Sequence, residues 1–385
     1  MENEKPLYHQ LDIGLLFLSV ILAGFSLVAV YQATSAGSGL TYVYRQMMWY
    51  GIGYGIVFAS LFVDYRRLKD LAYPLYGFGL FLLILVMSPL GVDKKGAQRW
   101  IDVGFTNIQP SEFVKIFIII IIAYLLAKYQ EQHEKSIRGD MNQVLRVGVL
   151  SIIPFAFILK QPDLGTSLVI VGIVAVMLLV AGIAWRILIT LMLLAVSIIA
   201  GIVFLYFVNY DWFSKIIQGH QLERIHGWLN PELYASDMSY QLLQSLNSIG
   251  SGQLIGKTLD ESVFVTPQWS RIPENHTDFI FAVIGEEFGF IGASVLLSVF
   301  FLMIYRMVQI SLSCNDTFGS YLVAGCIGMT VFQVFQNIGM SIGIMPITGL
   351  ALPFISYGGS ALLTNMIALG IVLNVAMRTK IYMFD

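Results

Sequence analysis

Residues 275–305 read NHTDFIFAVIGEEFGFIGASVLLSVFFLMIY, a polar start followed by a long apolar run. About 20 apolar residues are enough for a helix to cross the hydrocarbon core of a bilayer. The run is longer than that, and its charged residues lie near one end. It therefore predicts a membrane-spanning helix over residues 278–305, entered from a polar segment.

The rest of the chain repeats this apolar character. Of 385 residues, 57% are hydrophobic and 12% are charged, whereas soluble domains contain about 25% charged residues. We therefore predict an all-α polytopic membrane protein of about ten transmembrane helices, forming a single domain over residues 1–385. The predicted spans are 12–31, 46–63, 71–88, 113–128, 144–160, 165–182, 187–209, 278–305, 318–342 and 359–377.

The distribution of Lys and Arg predicts the orientation of these spans. With the N-terminus inside, the inner segments hold twelve of these residues and the short outer segments hold six. The even number of spans then places both termini in the cytoplasm. No small-residue cleavage site follows the first apolar run, so we expect a retained helix and not a signal peptide.

Two long outer segments are predicted, at residues 89–112 and 210–277. The second lies between helices 7 and 8, and its aromatic and aliphatic content argues against a disordered tether. Its central part, residues 218–249, is expected to form amphipathic helices on the outer surface. Polar chemistry is thus expected on the extracytoplasmic face.

Several classes of function lack support. The net charge of −2 provides no basic field for nucleic acid, and the two cysteines define neither a disulfide framework nor a metal site. The sequence contains no P-loop, Rossmann fingerprint, H-E-x-x-H motif or G-x-S-x-G elbow. Coupling to cytoplasmic ATP is therefore not indicated.

Asp278 is the candidate catalytic residue. It lies where the long outer segment enters the membrane, and partial burial makes a carboxylate a better base near neutral pH. The alternative is a helix N-cap formed by Thr277 or Asp278. Further along the helix, Glu286 and Glu287 are expected either to act directly or to pair with a basic residue elsewhere, because an ionised acid in a membrane is costly.

The other candidates are charged, polar or aromatic residues at the same face. Glu112 and Lys115 are three residues apart, so they form either a neutralising pair or an anion-binding site. Lys160 and Asp163 are expected to form another close pair, and Ser356 lies in the Pro- and Gly-rich segment 343–363, interpreted as a cavity wall or a simple turn. The predicted substrate-binding residues are Arg99, Trp100, Glu112, Lys115, Lys160, Asp163, Arg271, His276 and Ser356.

Four motifs, in order along the chain, resemble those of the SEDS family (shape, elongation, division and sporulation). They are GAQRWIDVGFTNIQPSEFVK, KQPDLGTS, NHTDFIFAVIGEEFG and GMSIGIMPITGLALPFISYGGSALL. The rod-shape branch, RodA, is the closer resemblance, ahead of the division branch, FtsW. The similarity covers nearly the whole chain.

The resemblance implies a ten-helix peptidoglycan glycosyltransferase of the bacterial cytoplasmic membrane that polymerises lipid II on the outer side. It also implies a partner, a class B penicillin-binding transpeptidase. The family's essential aspartate falls on Asp278, its arginine–tryptophan motif on Arg99 and Trp100, and its glutamate–lysine pair on Glu112 and Lys115.

These residues suggest a mechanism with a single inversion at the anomeric carbon. Asp278 would accept the proton of the acceptor hydroxyl, and Arg99, Lys115, Lys160, Arg271 or a divalent cation (Mg²⁺ or Mn²⁺) would stabilise the departing pyrophosphate. No cofactor is certain. Two other functions remain open: a flippase that carries lipid II outward, and a non-catalytic scaffold for wall-synthesis enzymes.

Overall fold

The structure is a computed structural model in which twelve α-helices dominate the described residues. It describes residues 11–34, 39–94, 97–104, 106–132, 136–209, 212–213, 220–229, 231, 237–257 and 275–379. The helices are α1 Ile13–Thr34, α2 Gly39–Phe62, α3 Leu68–Val86, α4 Pro110–Gln132, α5 Ile137–Lys160, α6 Leu164–Val180, α7 Trp185–Val208, α8 His220–Leu229, α9 Asp237–Ser251, α10 Ile280–Ser313, α11 Thr317–Ser341 and α12 Gly359–Arg378. A 3₁₀ turn, Tyr65–Arg67, precedes α3.

Ten of these helices coincide with the ten predicted spans. Among the described helices, eight are long and apolar enough to cross a membrane by length and composition, α6 is a shorter apolar helix, and α2 is a further helix of 24 residues. The predicted fold class, a multi-pass α-helical membrane protein, is confirmed. Helix α2 begins at Gly39, before the predicted residue 46, because hydropathy does not register a helical turn that contains Arg45.

Residues 89–112 were predicted as a long outer segment, and they contain a small antiparallel sheet that the sequence analysis did not predict. Its strands are β1 Gly91–Lys94, β2 Ala97–Asp102 and β3 Asn107–Ile108, in that spatial order. Val92 pairs with Trp100 and Asp93 pairs with Gln98, so Arg99 is the extra residue of a β-bulge. Strands this short give too weak an alternation to be recognised in a sequence.

Helices α4, α11 and α12 form the centre of the bundle, with most of their residues buried. Helix α4 packs against α3 and α11, and α12 packs against α2. A β-carbon at Gly325 of α11 would lie only 2.5 Å from Cγ2 of Ile119 on α4. The glycine thus permits a close approach of the two backbones, as is usual between membrane helices.

Helices α8 and α9 cover one end of the bundle, which we call the capped end. Trp228 of α8 donates a hydrogen bond from Nε1 to the Gly343 carbonyl at 2.8 Å, and Ser245 of α9 donates one to the Ser341 carbonyl at 2.7 Å. The helices predicted for residues 218–249 are therefore present. Helices α4, α6, α10 and α12 all begin at this end.

Residues 342–358 connect α11 to α12 without forming a helix, and side chains satisfy their carbonyl groups. Ser26 donates to the Ile355 carbonyl at 2.7 Å, and Asn337 donates to the Leu350 carbonyl at 2.6 Å. Irregular backbone is tolerated at membrane depth when it is buried in protein. Leu350 and Ile355 are buried here, so the segment is a packed wall and not a simple turn.

Candidate active site

Asp278 lies in a turn that precedes α10, at the capped end, and its side chain is half-buried. Helix α10 begins at Ile280 with Phe279 as its N-cap residue, so neither Thr277 nor Asp278 occupies the N-cap position. The Asp278 backbone carbonyl accepts a hydrogen bond from Nδ2 of Asn337 at 2.8 Å. The same Asn337 nitrogen bonds the Leu350 carbonyl, so one side chain ties the Asp278 turn to segment 342–358.

The Asp278 carboxylate lies directly against this segment. Its Oδ2 atom is 3.2 Å from the position that a β-carbon would take at Gly349, where φ is +74°. Only glycine adopts this backbone conformation readily and also leaves room for the carboxylate. Gly349 is therefore as much a part of the site as Asp278, and the sequence analysis did not single it out.

Ser356 and His276 hold the Asp278 turn in place. Ser356 donates from Oγ to the Thr277 carbonyl at 2.6 Å and accepts from the Leu352 N–H at 2.8 Å. The Tyr357 N–H donates to the His276 carbonyl at 2.9 Å, and the rings of His276, Tyr42 and Tyr357 all contact one another. Both predicted residues thus position the turn through direct contacts.

Arg99 connects the small sheet to the start of α6. Its Nε donates to the Gln161 carbonyl at 2.9 Å, and its Nη2 donates to the Pro162 carbonyl. Trp100, the next residue of β2, is half-buried and pairs with Val92. The bulge directs the guanidinium of Arg99 towards the turn between α5 and α6.

Asp163 caps α6 and does not pair with Lys160. Its Oδ1 accepts from the Thr166 N–H at 3.1 Å, and its Oδ2 accepts from Nε2 of Gln109 at 3.0 Å. Lys160 is exposed, and no ion pair joins it to Asp163 in the described part of the chain. The predicted Lys160–Asp163 pair is therefore wrong, because the carboxylate is taken up by the N-terminus of α6 and by Gln109.

Glu112 and Lys115 form the neutralising pair that was one of the two interpretations. Lys115 Nζ lies 2.7 Å from Glu112 Oε2, and the Lys115 side chain is fully buried. Burial of an unpaired charge would be costly, so each residue stabilises the other. Their predicted contact with substrate stays a prediction.

Glu286 also has a basic partner. Lys257 Nζ lies 2.5 Å from Glu286 Oε1, which confirms the structural-pair interpretation for this acid. The pair stands beside a break in α10 at Gly289, where φ is +62°. The N–H groups of Phe290 and Ile291, freed by the break, donate to the carbonyls of residues 253 and 254. Predicted Arg271 lies outside the described residues.

Arg224, on α8, joins these residues although the sequence analysis missed it. Its Nη1 donates to the carbonyls of Ile347 and Thr348 at 3.3 and 3.1 Å. Desolvation lowers the pKa of Arg224, as does the nearby charge of Arg99, while Asp163 and Asp278 oppose this shift. Arg99, Asp163 and Asp278 therefore all lie within electrostatic range of Arg224. A basic residue in the amphipathic part of the long outer segment was the available signal.

Nearly the whole chain matches one protein family. Residues 9–381 match the family model described as "Cell cycle protein", which comprises FtsW, RodA and SpoVE. This chain belongs to the FtsW/RodA/SpoVE family. The resemblance to SEDS proteins is thereby confirmed.

Curated relatives span the whole length of this family member. One is the "Probable peptidoglycan glycosyltransferase FtsW" of Trichlorobacter lovleyi, 35% identical over 377 residues, which are 96% of this chain and 94% of that protein. Another is the "Stage V sporulation protein E" of Bacillus subtilis, 35% identical over 380 residues, which are 96% of this chain and 98% of that protein.

Two solved structures are similar to nearly the whole of this chain. A chain from "Structural coordination of polymerization and crosslinking by a peptidoglycan synthase complex" superposes with a TM-score of 0.79 at 31% identity, covering 95% of this chain and 97% of that chain. The rod shape determining protein RodA of Thermus thermophilus superposes with a TM-score of 0.68 at 29% identity, covering 96% and 98%. The fold and the family therefore agree.

The described residues of this site do not form a metal centre. Among the residues that the structure describes, no three His, Cys, Asp or Glu residues group together as metal ligands. Asp163 is occupied by Thr166 and Gln109, so it does not present a free carboxylate edge for a cation. We therefore derive no catalytic step through a metal, and the predicted divalent cation stays a prediction.

Proposed function

We propose that this protein is a peptidoglycan glycosyltransferase that polymerises lipid II into β-1,4 glycan strands, with Asp278 as the catalytic base. The observation that carries the proposal is a half-buried carboxylate beside Gly349, on a backbone turn that Asn337 and Ser356 hold at the capped end of a membrane bundle. Its family and the names of its relatives support the same activity.

In the proposed reaction, the 4-hydroxyl of the acceptor N-acetylglucosamine attacks the anomeric carbon of the donor muramyl group. Asp278 accepts the hydroxyl proton as the new C–O bond forms. The bond between the anomeric carbon and the diphosphate oxygen breaks, and polyprenyl diphosphate leaves with the bonding electron pair. The α-linked donor becomes a β-linked product through one inversion. Partial burial favours this proton transfer because it raises the basicity of a carboxylate.

The departing diphosphate requires positive charge, for which preorganised cations are effective. Arg99 is the leading candidate for this charge. Arg99 and the proposed base Asp278 both lie within electrostatic range of the same residue, Arg224. Lys115 is buried against Glu112 and Lys160 is exposed, so both contribute less directly. Arg271 stays a candidate from sequence.

An apolar groove supports a lipid-linked substrate. It lies between α5, α6 and α7 and has a cavity volume of about 750 Å³. Its lining is almost wholly apolar and includes Phe155, Val174 and Leu188. A polyprenyl chain buries well in such a groove while the sugars remain at the polar end. The groove lies in the half of the bundle away from the capped end, so we place the distal part of the donor tail there.

The central test is polymerisation of lipid II by the purified protein and by the Asp278→Asn variant. Loss of a general base reduces turnover by about a hundredfold to ten-thousandfold. The matched control is Asp93→Asn, which neutralises an exposed acid on β1. We expect full activity in the control and an unchanged melting temperature in both. Wild-type turnover by Asp278→Asn would remove Asp278 as the base.

A lipid II flippase is the second candidate, because the groove runs along the half of α7 that begins at Trp185, away from the capped end. Proteoliposomes separate the two functions. Lipid II supplied only on the face of the capped end needs no flipping, so glycan formed there supports the transferase. Movement of lipid II across the bilayer without glycan synthesis would favour the flippase.

We further propose that both termini are cytoplasmic, that the capped end is extracytoplasmic, and that a class B penicillin-binding transpeptidase is the partner. The similarity to a chain of a peptidoglycan synthase complex that coordinates polymerization and crosslinking supports such a partner. We assign the protein to elongation, as the resemblance to RodA suggests. Depletion should then round the cells; filamentous cells would indicate division instead.

A further inference from the structure

Arg224 and Arg99 approach the start of α6 from two sides. Arg224 bonds the Ile347 and Thr348 carbonyls, and Arg99 bonds the carbonyls of residues 161 and 162. The Thr348 carbonyl lies 3.1 Å from the β-carbon position of Gly165, in the first turn of α6. A short stretch of backbone therefore brings together two guanidinium groups that are far apart in sequence.

Each guanidinium retains donors beyond these contacts. A guanidinium carries five N–H groups, and the hydrogen bonds of Arg224 to described residues all come from Nη1. Within the described part of the chain, those of Arg99 come from Nε and Nη2 and none comes from Nη1. Neither arginine has a carboxylate within ion-pair distance among the described residues. Two neighbouring like charges repel each other, and a bound anion relieves that repulsion.

The catalytic base lies near these charges without touching them. Asp278 contributes to the electrostatics of Arg224, yet no ion pair joins Asp278 to either arginine across the described residues. An inverting displacement requires the base and the cations to be apart, because the attacking hydroxyl and the leaving group occupy opposite faces of one sugar ring. The base and the cations must then be separated by the width of the reacting sugar.

We propose that Arg224 supplies a second guanidinium which, with Arg99, binds the diphosphate of the lipid-linked donor. The inference rests on the proposed function and identifies the leaving-group subsite within it. Two planar guanidiniums can bind two phosphoryl groups at once, which distinguishes a diphosphate from a monophosphate.

Arg224 also fastens α8 to segment 342–358, and a test must separate this role from anion binding. Trp228 provides the control, because it fastens the same helix to Gly343 of the same segment through an uncharged hydrogen bond. Trp228→Phe removes that bond and no charge. Arg45→Gln is a second control, since Arg45 is an exposed arginine of α2.

The experiment measures the binding of undecaprenyl diphosphate and undecaprenyl monophosphate to the purified full-length protein, alongside polymerisation kinetics with lipid II. We expect the wild type to prefer the diphosphate. Arg224→Gln should lose about tenfold or more in diphosphate affinity, with a similar rise in KM for donor. Trp228→Phe and Arg45→Gln should keep the preference. Arg224→Lys retains the charge and should recover part of the preference for the diphosphate. It replaces Arg224→Gln in the test if that variant does not fold.

The outcomes separate this inference from the proposed function. If the wild type makes glycan but Arg224→Gln keeps the diphosphate preference, the inference is overturned and the function stands. If Trp228→Phe loses the preference equally, Arg224 acts only as a fastening and the inference again fails. If the diphosphate preference depends on Arg224 but no glycan forms, the binding site stands and the transferase proposal fails.

Discussion

Helices α4 and α7 have similar lengths and strongly apolar sequences, yet they occupy opposite environments. In its most apolar stretch, 78% of α4 is buried, against 6% of α7. Helix α4 is enclosed by α3, α11 and α12, whereas Ile187 is the one buried residue of α7. The comparison teaches that hydropathy identifies a membrane helix but does not tell whether protein or lipid surrounds it.

Helices α4 and α7 also differ in where they contact the rest of the protein. Helix α4 is packed along its length and carries the buried Glu112–Lys115 pair. Helix α7 is held near its ends: Asp140 accepts from the Ala184 N–H at 2.9 Å, and Tyr206 packs on Phe213 and His226. We infer that α4 fixes the site, while α7 borders the groove for a lipid chain.

The largest expected effect is the loss of the charge pair in α4. Lys115→Met leaves Glu112 buried without its partner, which should lower the free energy of unfolding by about 3–5 kcal/mol. Thermal unfolding in detergent measures this. The double variant Glu112→Gln with Lys115→Met removes both charges and should recover most of the loss. A single variant as stable as the wild type would contradict the structural role of the pair.

The double variant also sharpens the role of Lys115 in substrate binding. If the double variant is stable but its KM for donor rises about tenfold or more, Lys115 binds an anionic group of the donor. Loss of a charge-assisted hydrogen bond weakens binding by about that factor. An unchanged KM would leave the pair with its structural role alone.

A matched pair of truncations tests the packing difference. Ile119→Ala on α4 opens a cavity against Gly325 and should destabilise the protein by about 2 kcal/mol or more. Leu194→Ala on α7, where the side chain is exposed, should change stability by less than about 0.5 kcal/mol. Equal losses in thermal unfolding would break the comparison, because α7 would then be packed like α4.

The smallest effect concerns the groove beside α7. Ala195→Trp should partly fill it and raise KM for a donor with a long polyprenyl chain by about tenfold, or about 1.4 kcal/mol. A short-chain donor should be used as before, and Leu194→Trp, one residue away and outside the lining, is the control. An equal effect of both variants on both donors would place the lipid chain elsewhere.

The sequence predicted the membrane spans well because each span satisfies a local requirement, a run of apolar residues of sufficient length. It also singled out Asp278, Arg99 and the Glu112–Lys115 pair, since charges beside apolar runs are conspicuous. The predicted pair of Lys160 and Asp163 was wrong because nearness along the chain does not decide which donor reaches a carboxylate. Gln109, 54 residues away, takes one of its oxygens.

Arg224 and Gly349 could not be recognised in the same way. Nothing near Arg224 along the chain indicates that its guanidinium meets the carbonyls of Ile347 and Thr348, more than 120 residues later. Gly349 is one of 35 glycines, and only its contact with the Asp278 carboxylate distinguishes it. Both residues matter through contacts that the folded chain creates.

The sequence by itself determined that this chain crosses a membrane repeatedly, and its motifs determined its family. These properties depend on local composition and order, which are written along the chain itself. The tertiary structure decided which apolar helix is buried, which acid is paired, and which arginines meet near the start of α6. Those outcomes depend on helix packing and on long-range hydrogen bonds to an irregular backbone segment, and no local pattern records them.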